Sequence, residues 1–497
     1  MPRWSLNGKL RRRHVYAAVS ILVLSRSAVF VFWPQSYIDA NQAVLGLMAK
    51  HLAEGRAWPL FMYGQSYLLA VEAWLAAPLF LLFGPSVTAL KLPLLAANVS
   101  VALLLLHLFE RGVGLTPPHA AIASLFFVLP GPATTAQLLE ANGGSVETFI
   151  YVLLLWLARA RPIWSGVILG VGILQRTFTL YGYVALLLVL AGRRELFRRT
   201  GARRVGVTVV IASSLWGAAE SIKHSASALG PGTTFADLNE PTEIGAIEGH
   251  LCLDPHTIVP GLEKLVSFHW PLLFGTKPQP LVEYGIESRV RQGMSGAGLW
   301  LAALMATALI RIGLEIARQR GWPPELDGCT YLILAGTLSA GAYVIARCGV
   351  LTIYKMNYDL LSLLTASGVA GWYLRVESFA RRRTIWVMVL IGWTAIHGVA
   401  HERLLAEYAT RAPVGGKREL IAALDARGVR YGIADYALSY PITFLTNERI
   451  IVASSTRVRV RQYQDIVAAH RGEAVLVARH PCGPNPPVVP HIYLCPP

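Results

Sequence analysis

Charged side chains are scarce in this chain. Asp, Glu, Lys and Arg make up 15% of its 497 residues, while 54% are hydrophobic. An ordinary soluble protein carries about 25% charged residues. The deficit excludes a soluble enzyme, and the apolar content excludes a disordered tail. Five cysteines in 497 residues are too few for a disulfide scaffold. No CxxC or HExxH spacing occurs, so nothing signals a structural metal site. Internal repeats and low-complexity arrays are also missing. Acids are scarcer than bases, 29 against 45, which leaves a formal charge of +16. Such an excess suits nucleic acid only when the bases cluster on a solvated face. Here they sit between long apolar runs, so no nucleic-acid partner is expected. The pattern is that of a polytopic membrane protein.

The first apolar run, about 15–33, follows Arg3, Lys9, Arg11, Arg12 and Arg13. It is long enough to span and no small-residue cleavage site follows, so it reads as a span rather than a signal peptide. Further spans are expected at 86–109, 118–137, 146–159, 163–179, 180–192, 204–222, 297–317, 328–346, 358–374 and 384–400. Several fall short of the ~20 residues that a straight span needs. The region 163–192 reads as a short hairpin bent near Arg176.

The apolar stretch 67–84 decides the topology. As a full span it would put every later Arg cluster outside; as a helix in the outer interface it leaves them inside. The second choice gives about eleven spans, a cytoplasmic N-terminus and an extracytoplasmic C-terminus. The inner segments then hold 21 Lys and Arg against 6 acids, which leaves the rest of the chain nearly neutral. The expected fold is thus an α-helical polytopic membrane domain over 1–400, with outer loops 34–85, 138–146 and 223–296.

Residues 401–497 differ. An amphipathic helix is expected at 417–427, with Leu420, Ile421 and Leu424 on one face and Gly428 as its cap. Strands are expected at 429–434, 449–454, 473–479 and 491–495, and a second helix at 461–470. This reads as a small extracytoplasmic α/β domain. Cys482 and Cys495 flank a Pro-rich loop there and are expected to pair. Cys252 and Cys348 form a second candidate pair, and Cys329 reads as a small buried residue within a span.

The densest motif lies in the first outer loop: Tyr37-Ile38-Asp39-Ala40-Asn41-Gln42, then Tyr63-Gly64-Gln65-Ser66-Tyr67. Asp39 sits just past the outer end of the first span. It reads either as a general base at the membrane surface or as an N-cap for a helix over 40–54. The stretch 67–84 ends Leu82-Phe83-Gly84, and Lys91 follows at the start of the next span. In order and spacing these features resemble the C-type membrane glycosyltransferases (the GT-C fold). The likeness is closest to the bacterial relatives of protein O-mannosyltransferases and aminoarabinose transferases. It covers the first four spans well and thins afterwards. Relatives carry Arg where Lys91 stands, and often two acids where this chain has Asn41-Gln42.

The resemblance implies an inverting glycosyltransferase of the bacterial plasma membrane; no cofactor is expected, and a divalent metal at Glu140 or Glu147 stays open. The donor would be a polyprenyl-phosphate-linked sugar and the acceptor a hydroxyl of a protein, lipid or polysaccharide on the outer face. Asp39 would deprotonate the acceptor, and cations would stabilise the phosphate leaving group. Substrate-binding candidates are Lys91, Tyr63, Gln65, Glu140 and Glu147 of the second outer loop, Arg176, and the group Arg347, Tyr354 and Lys355. His269 beside Trp270 is a candidate for sugar stacking. Against function, Glu147 suits a helix first turn, Glu140 a solvated loop charge and Arg176 an interfacial anchor. Arg26 lies mid-span, where snorkelling does not explain it. Two other readings stay open, an inactive binding paralogue and a lipid-linked-sugar transporter, although the halves repeated in many transporters are not seen.

Overall fold

The computed structural model describes residues 6–33, 38–237, 254–277, 279–283, 286–294, 296–319, 321, 323–345, 359–413, 415–483 and 486–496. Each of the eleven expected spanning segments is helical. The first is α1 (Leu6–Phe32), followed by α4 (Val87–His107), which runs on through a π turn to Gly112. Ser86 starts α4 by accepting the Ala89 N–H at 3.2 Å. The next segment is broken: α5 (Pro117–Val128) and α6 (Pro132–Leu138) meet at 84°. Pro130 and Pro132 supply no N–H across the junction, which explains the break.

Then come α7 (Glu147–Ala158), α8 (Pro162–Gln175), α9 (Thr179–Gly192) and α10 (Arg199–Lys223). The α8–α9 hairpin turns at Arg176, as its sequence suggests. A helix α11 (Pro255–Lys264) and a hairpin of β3 (Gln279–Glu283) and β4 (Ile286–Gln292) precede α12 (Ala297–Gln319). The membrane part closes with α13 (Asp327–Ile345), α14 (Ser362–Val376) and α15 (Ala380–Arg411).

By length and composition six of these segments are able to cross a membrane, or seven if the broken pair is one span. The other four are helices of 12 to 15 residues. They reach only part of the way across a ~30 Å core at 1.5 Å per residue. Arg26 is 1% exposed inside the bundle. Its guanidinium donates to Asn98 Oδ1 at 2.8 Å and to Thr135 Oγ1 at 3.2 Å, so it pins α1 to α4 and to the short half-helix α6.

Between α1 and α4 the chain forms α2 (Ala40–Ala53), a small hairpin of β1 (Phe61–Met62) and β2 (Gln65–Leu69), and α3 (Val71–Phe83). Helix α3 ends at Gly84, whose φ is +79°. Leu75, Leu81, Leu82 and Phe83 are exposed on it, while Ala73, Ala76, Ala77 and Phe80 are buried. One apolar face thus meets the protein and the other is left for lipid, which suits a helix lying in the interface.

The C-terminal domain holds α16 (Gly416–Ala426), β5 (Tyr431–Ala434), α17 (Tyr436–Leu445), β6 (Ile451–Ser454), α18 (Arg461–Ala469), β7 (Val475–Ala478) and β8 (Tyr493–Cys495). Its sheet order is β6-β5-β7-β8. Strands β5, β6 and β7 are parallel and β8 is antiparallel. Each parallel step uses a helix as its crossover, as parallel strands require. Gly428 follows α16 with φ +66°. Cys482 and Cys495 are joined, and Cys329 is a buried free thiol. Cys252 and Cys348 lie outside the described residues.

This domain is docked on the membrane part through α17 and α2. Gly46 of α2 makes the fit possible, because a Cβ there would lie 2.5 Å from the Phe444 ring. Phe444 in turn stacks on Phe80 of α3, with centroids 6.3 Å apart.

Candidate active site

Asp39 closes the start of α2. Its backbone is extended, and its Oδ1 accepts the Gln42 N–H at 2.9 Å. The cap reading is therefore met, but it employs one carboxylate oxygen and does not preclude proton transfer at the other. Two lysines act on this carboxylate from opposite sides of the chain. Lys91, 1% exposed, comes from the first turns of α4. Lys417 comes from the start of α16 and donates from Nζ to the Ile38 carbonyl at 2.6 Å. Burial pushes the Asp39 carboxyl above the usual range, and the Gln42 N–H, Lys417 and Lys91 pull it back. Asn41, in place of a second acid, accepts from the Tyr436 hydroxyl at 2.6 Å. Arg457 and Arg459 lie 5.4 and 5.8 Å from the Tyr436 ring centre.

The loop at 138–146 gathers another group. Glu140 is buried and accepts from Gln137 Nε2 and Asn142 Nδ2, each at 2.8 Å. The solvated loop charge expected for it is not what the fold builds, because neighbouring amides enclose it. Glu147, in the first turn of α7, is also buried and interacts with Glu72 of α3. Glu72 Oε1 accepts the Gly143 N–H at 2.7 Å, and burial pushes its carboxyl up. Arg176 acts on both acids and donates from Nη2 to the Asn142 carbonyl at 3.2 Å. It lies directly over Gly144, where a Cβ would be 2.1 Å from its Cγ and φ is +127°. The fold thus brings Glu140, Glu147 and Arg176 to one loop.

Other candidates are placed differently. Tyr63 is fully buried, with its hydroxyl 3.2 Å from His51 Nδ1, so it belongs to a wall rather than an open surface. Gln65, half-buried, begins β2. His269 is fully buried, edge-on to Phe268 and Tyr343, which leaves no ring face for a sugar. Arg347, Tyr354 and Lys355 lie outside the described residues.

Sequence reasoning missed Glu72, Lys417, Tyr436 and Glu448. Glu72 had a local signal as the lone acid of an apolar interfacial helix. The other three had none, because they arrive from the C-terminal domain. Glu448 accepts from Lys50, Arg56 and Tyr463 and lies 3.3 Å from His51 Nε2, which ties the domain to the far end of α2. Among the described residues no three His, Cys, Asp or Glu side chains gather as a metal site would need.

A helical bundle with several apolar spans, an apolar helix between the first two of them and an α/β domain docked beside an acidic cap make up a membrane protein of the GT-C fold. The particular likeness is to ArnT of Cupriavidus metallidurans. Its crystal structure in the apo state has a TM-score of 0.53 with this chain at 12% identity, covering 93% of each. The structure of the same protein bound to undecaprenyl phosphate has a TM-score of 0.54 at 12% identity, covering 95% of this chain and 94% of that one. At this identity the likeness is one of fold. No family model matches the chain. No curated protein matches it either.

Proposed function

We propose that the chain is an inverting glycosyltransferase that moves a sugar from a polyprenyl-phosphate donor to an acceptor hydroxyl on the outer face of a bacterial plasma membrane. One observation carries this reading: on an ArnT-like fold, a half-buried carboxylate caps the helix after the first span and feels the charge of two lysines, one of them bonded to the preceding residue's carbonyl. A single acid flanked by two cations suits a reaction that takes a proton from a neutral hydroxyl and releases a phosphate. The undecaprenyl phosphate held by ArnT is a leaving group of that class.

In the proposed step Asp39 accepts the acceptor's hydroxyl proton as the oxygen attacks the anomeric carbon. The bond from that carbon to the phosphate oxygen breaks on the opposite face, and the electron pair leaves with polyprenyl phosphate. Lys91, buried and acting on Asp39 through its charge, would balance the phosphate charge that develops. Arg176, with Glu140 and Glu147, would line the second outer loop's side of the substrate space.

The test uses purified full-length protein, a labelled polyprenyl-phosphate sugar and a mixed envelope extract as acceptor. Transfer that Asp39→Asn abolishes supports the reading. Donor binding without transfer under every condition would instead favour the inactive paralogue, to which Asn41, engaged with Tyr436, lends one observation. Export of intact lipid-linked sugar by Asp39→Asn vesicles would favour the transporter.

A further inference from the structure

Lys417 stands apart from the chemistry assigned above, yet it reaches into the same site. It lies 379 positions along the chain from Ile38, to whose carbonyl it donates at 2.6 Å. That bond fixes its ammonium beside the residue preceding Asp39. The other groups around Asp39 are Lys91 from α4 and the Tyr436 hydroxyl region from α17. Arg479 acts on Lys417 and pairs with Asp435, so it is already engaged by a carboxylate. Among the described residues Lys91 and Lys417 are the cations whose charge is resolved at Asp39, and of these Lys417 comes from the C-terminal domain.

We propose that Lys417 is a positioning residue through which the docked C-terminal domain holds Asp39 as a carboxylate, ready to act as a base. This rests on the reading of Asp39 as the general base. The physical problem it solves is plain. Asp39 is desolvated at the root of α2, and desolvation favours the protonated acid, which takes no proton. A cation nearby restores the charged form, and a bond to the adjacent backbone carbonyl keeps that cation from swinging away. The C-terminal domain then contributes directly to the base: without it, Asp39 loses one of the charges that favour its carboxylate form.

The experiment measures kcat/KM for sugar transfer against pH with the full-length protein, its Lys417→Met and Lys417→Arg variants, and Asp39→Asn. Loss of Lys417 is expected to move the acid limb of the profile upward by about one pH unit, the low end of the effect of an opposite charge at short range. Lys417→Arg restores a cation and is expected to return the limb toward its original position. A thermal melt of each variant in detergent reports folding separately, so a rate lost through unfolding is not mistaken for a shifted limb. If Asp39→Asn is inactive and Lys417→Met loses rate with the acid limb unmoved, the proposal for Lys417 is overturned and the base reading stands. If Asp39→Asn keeps transfer activity, the base reading fails, and this proposal fails with it.

Discussion

Glu448→Ala removes the carboxylate on which Lys50, His51, Arg56 and Tyr463 converge. Its side chain is 11% exposed, that of Lys50 8% and that of His51 0%. Removing one partner of a buried pair typically costs about 3–5 kcal/mol, because the remaining charge is stranded. Here Glu54 stays behind, 2.9 Å from Lys50 and 2.6 Å from Arg56, and both Glu54 and Arg56 are more exposed. The loss is therefore expected at the low end, about 3 kcal/mol. At 1.4 kcal/mol per decade, local opening of the docked domain becomes more than ~100-fold more frequent. Hydrogen exchange reads this directly. Protection of amides near His51–Glu54 and Thr446–Ile450 should fall by that factor, while amides of α13 and α14 keep theirs. Protection unchanged within about threefold at α2 would refute the reasoning, and so would a uniform loss across the chain. The network also sets a pH dependence. Burial alone would raise the Glu448 carboxyl, but hydrogen bonds from His51, Arg56, Lys50 and Tyr463 together hold it well below the usual carboxylate range. A depressed acid contributes stability above its unfolded value near ~4.3, and that contribution is lost as pH falls through the folded value.

Four further outcomes are expected. Burial holds the His51 imidazole below its ordinary value. The unfolded state then takes up its proton first, so docking should weaken as pH drops below about 6.5, and His51→Gln should flatten that slope in exchange experiments. Gly46→Val should detach the C-terminal domain, since its first side-chain atom would sit 2.5 Å from the Phe444 ring; pairing it with Phe444→Ala should recover much of the protease protection. Arg26→Met leaves Asn98 Oδ1 and Thr135 without their donor and is expected to cost about 1–3 kcal/mol in detergent unfolding, with no change in the pH profile of transfer. Gly144→Ala should push Arg176 off the loop at 138–146 and strain the backbone at φ +127°, lowering both transfer in the labelled-donor assay and the melting temperature.

Much of this was legible from local pattern. The α8–α9 turn at Arg176, the end of α3 at Gly84, and the α16–Gly428 cap follow from residue types that act over a few positions. Strands β5 to β8 fell inside the expected runs for the same reason. Helix α17 was not legible. It contains Ser439, Pro441 and Thr443, poor helix formers, and it forms because Asp435 caps it and its apolar side lies on α2. Span number is less legible, since periodicity marks a helix without fixing whether it crosses. The site itself joins residues 38, 41 and 50 to 417, 436 and 448, and no spacing rule reaches across such intervals.

The bond from Lys417 to Ile38 also has a consequence for biosynthesis. The acid is made early, and the cation that acts on it follows only with α16, 379 positions beyond Ile38. A growing chain inserts its bundle, its outer loops and Asp39 well before α16 leaves the ribosome. Throughout that interval the nascent protein carries an unfinished centre. A premature stop anywhere before Lys417 leaves a membrane-embedded fragment without the cation at Asp39. Synthesis of α16 thus brings the cation to Asp39.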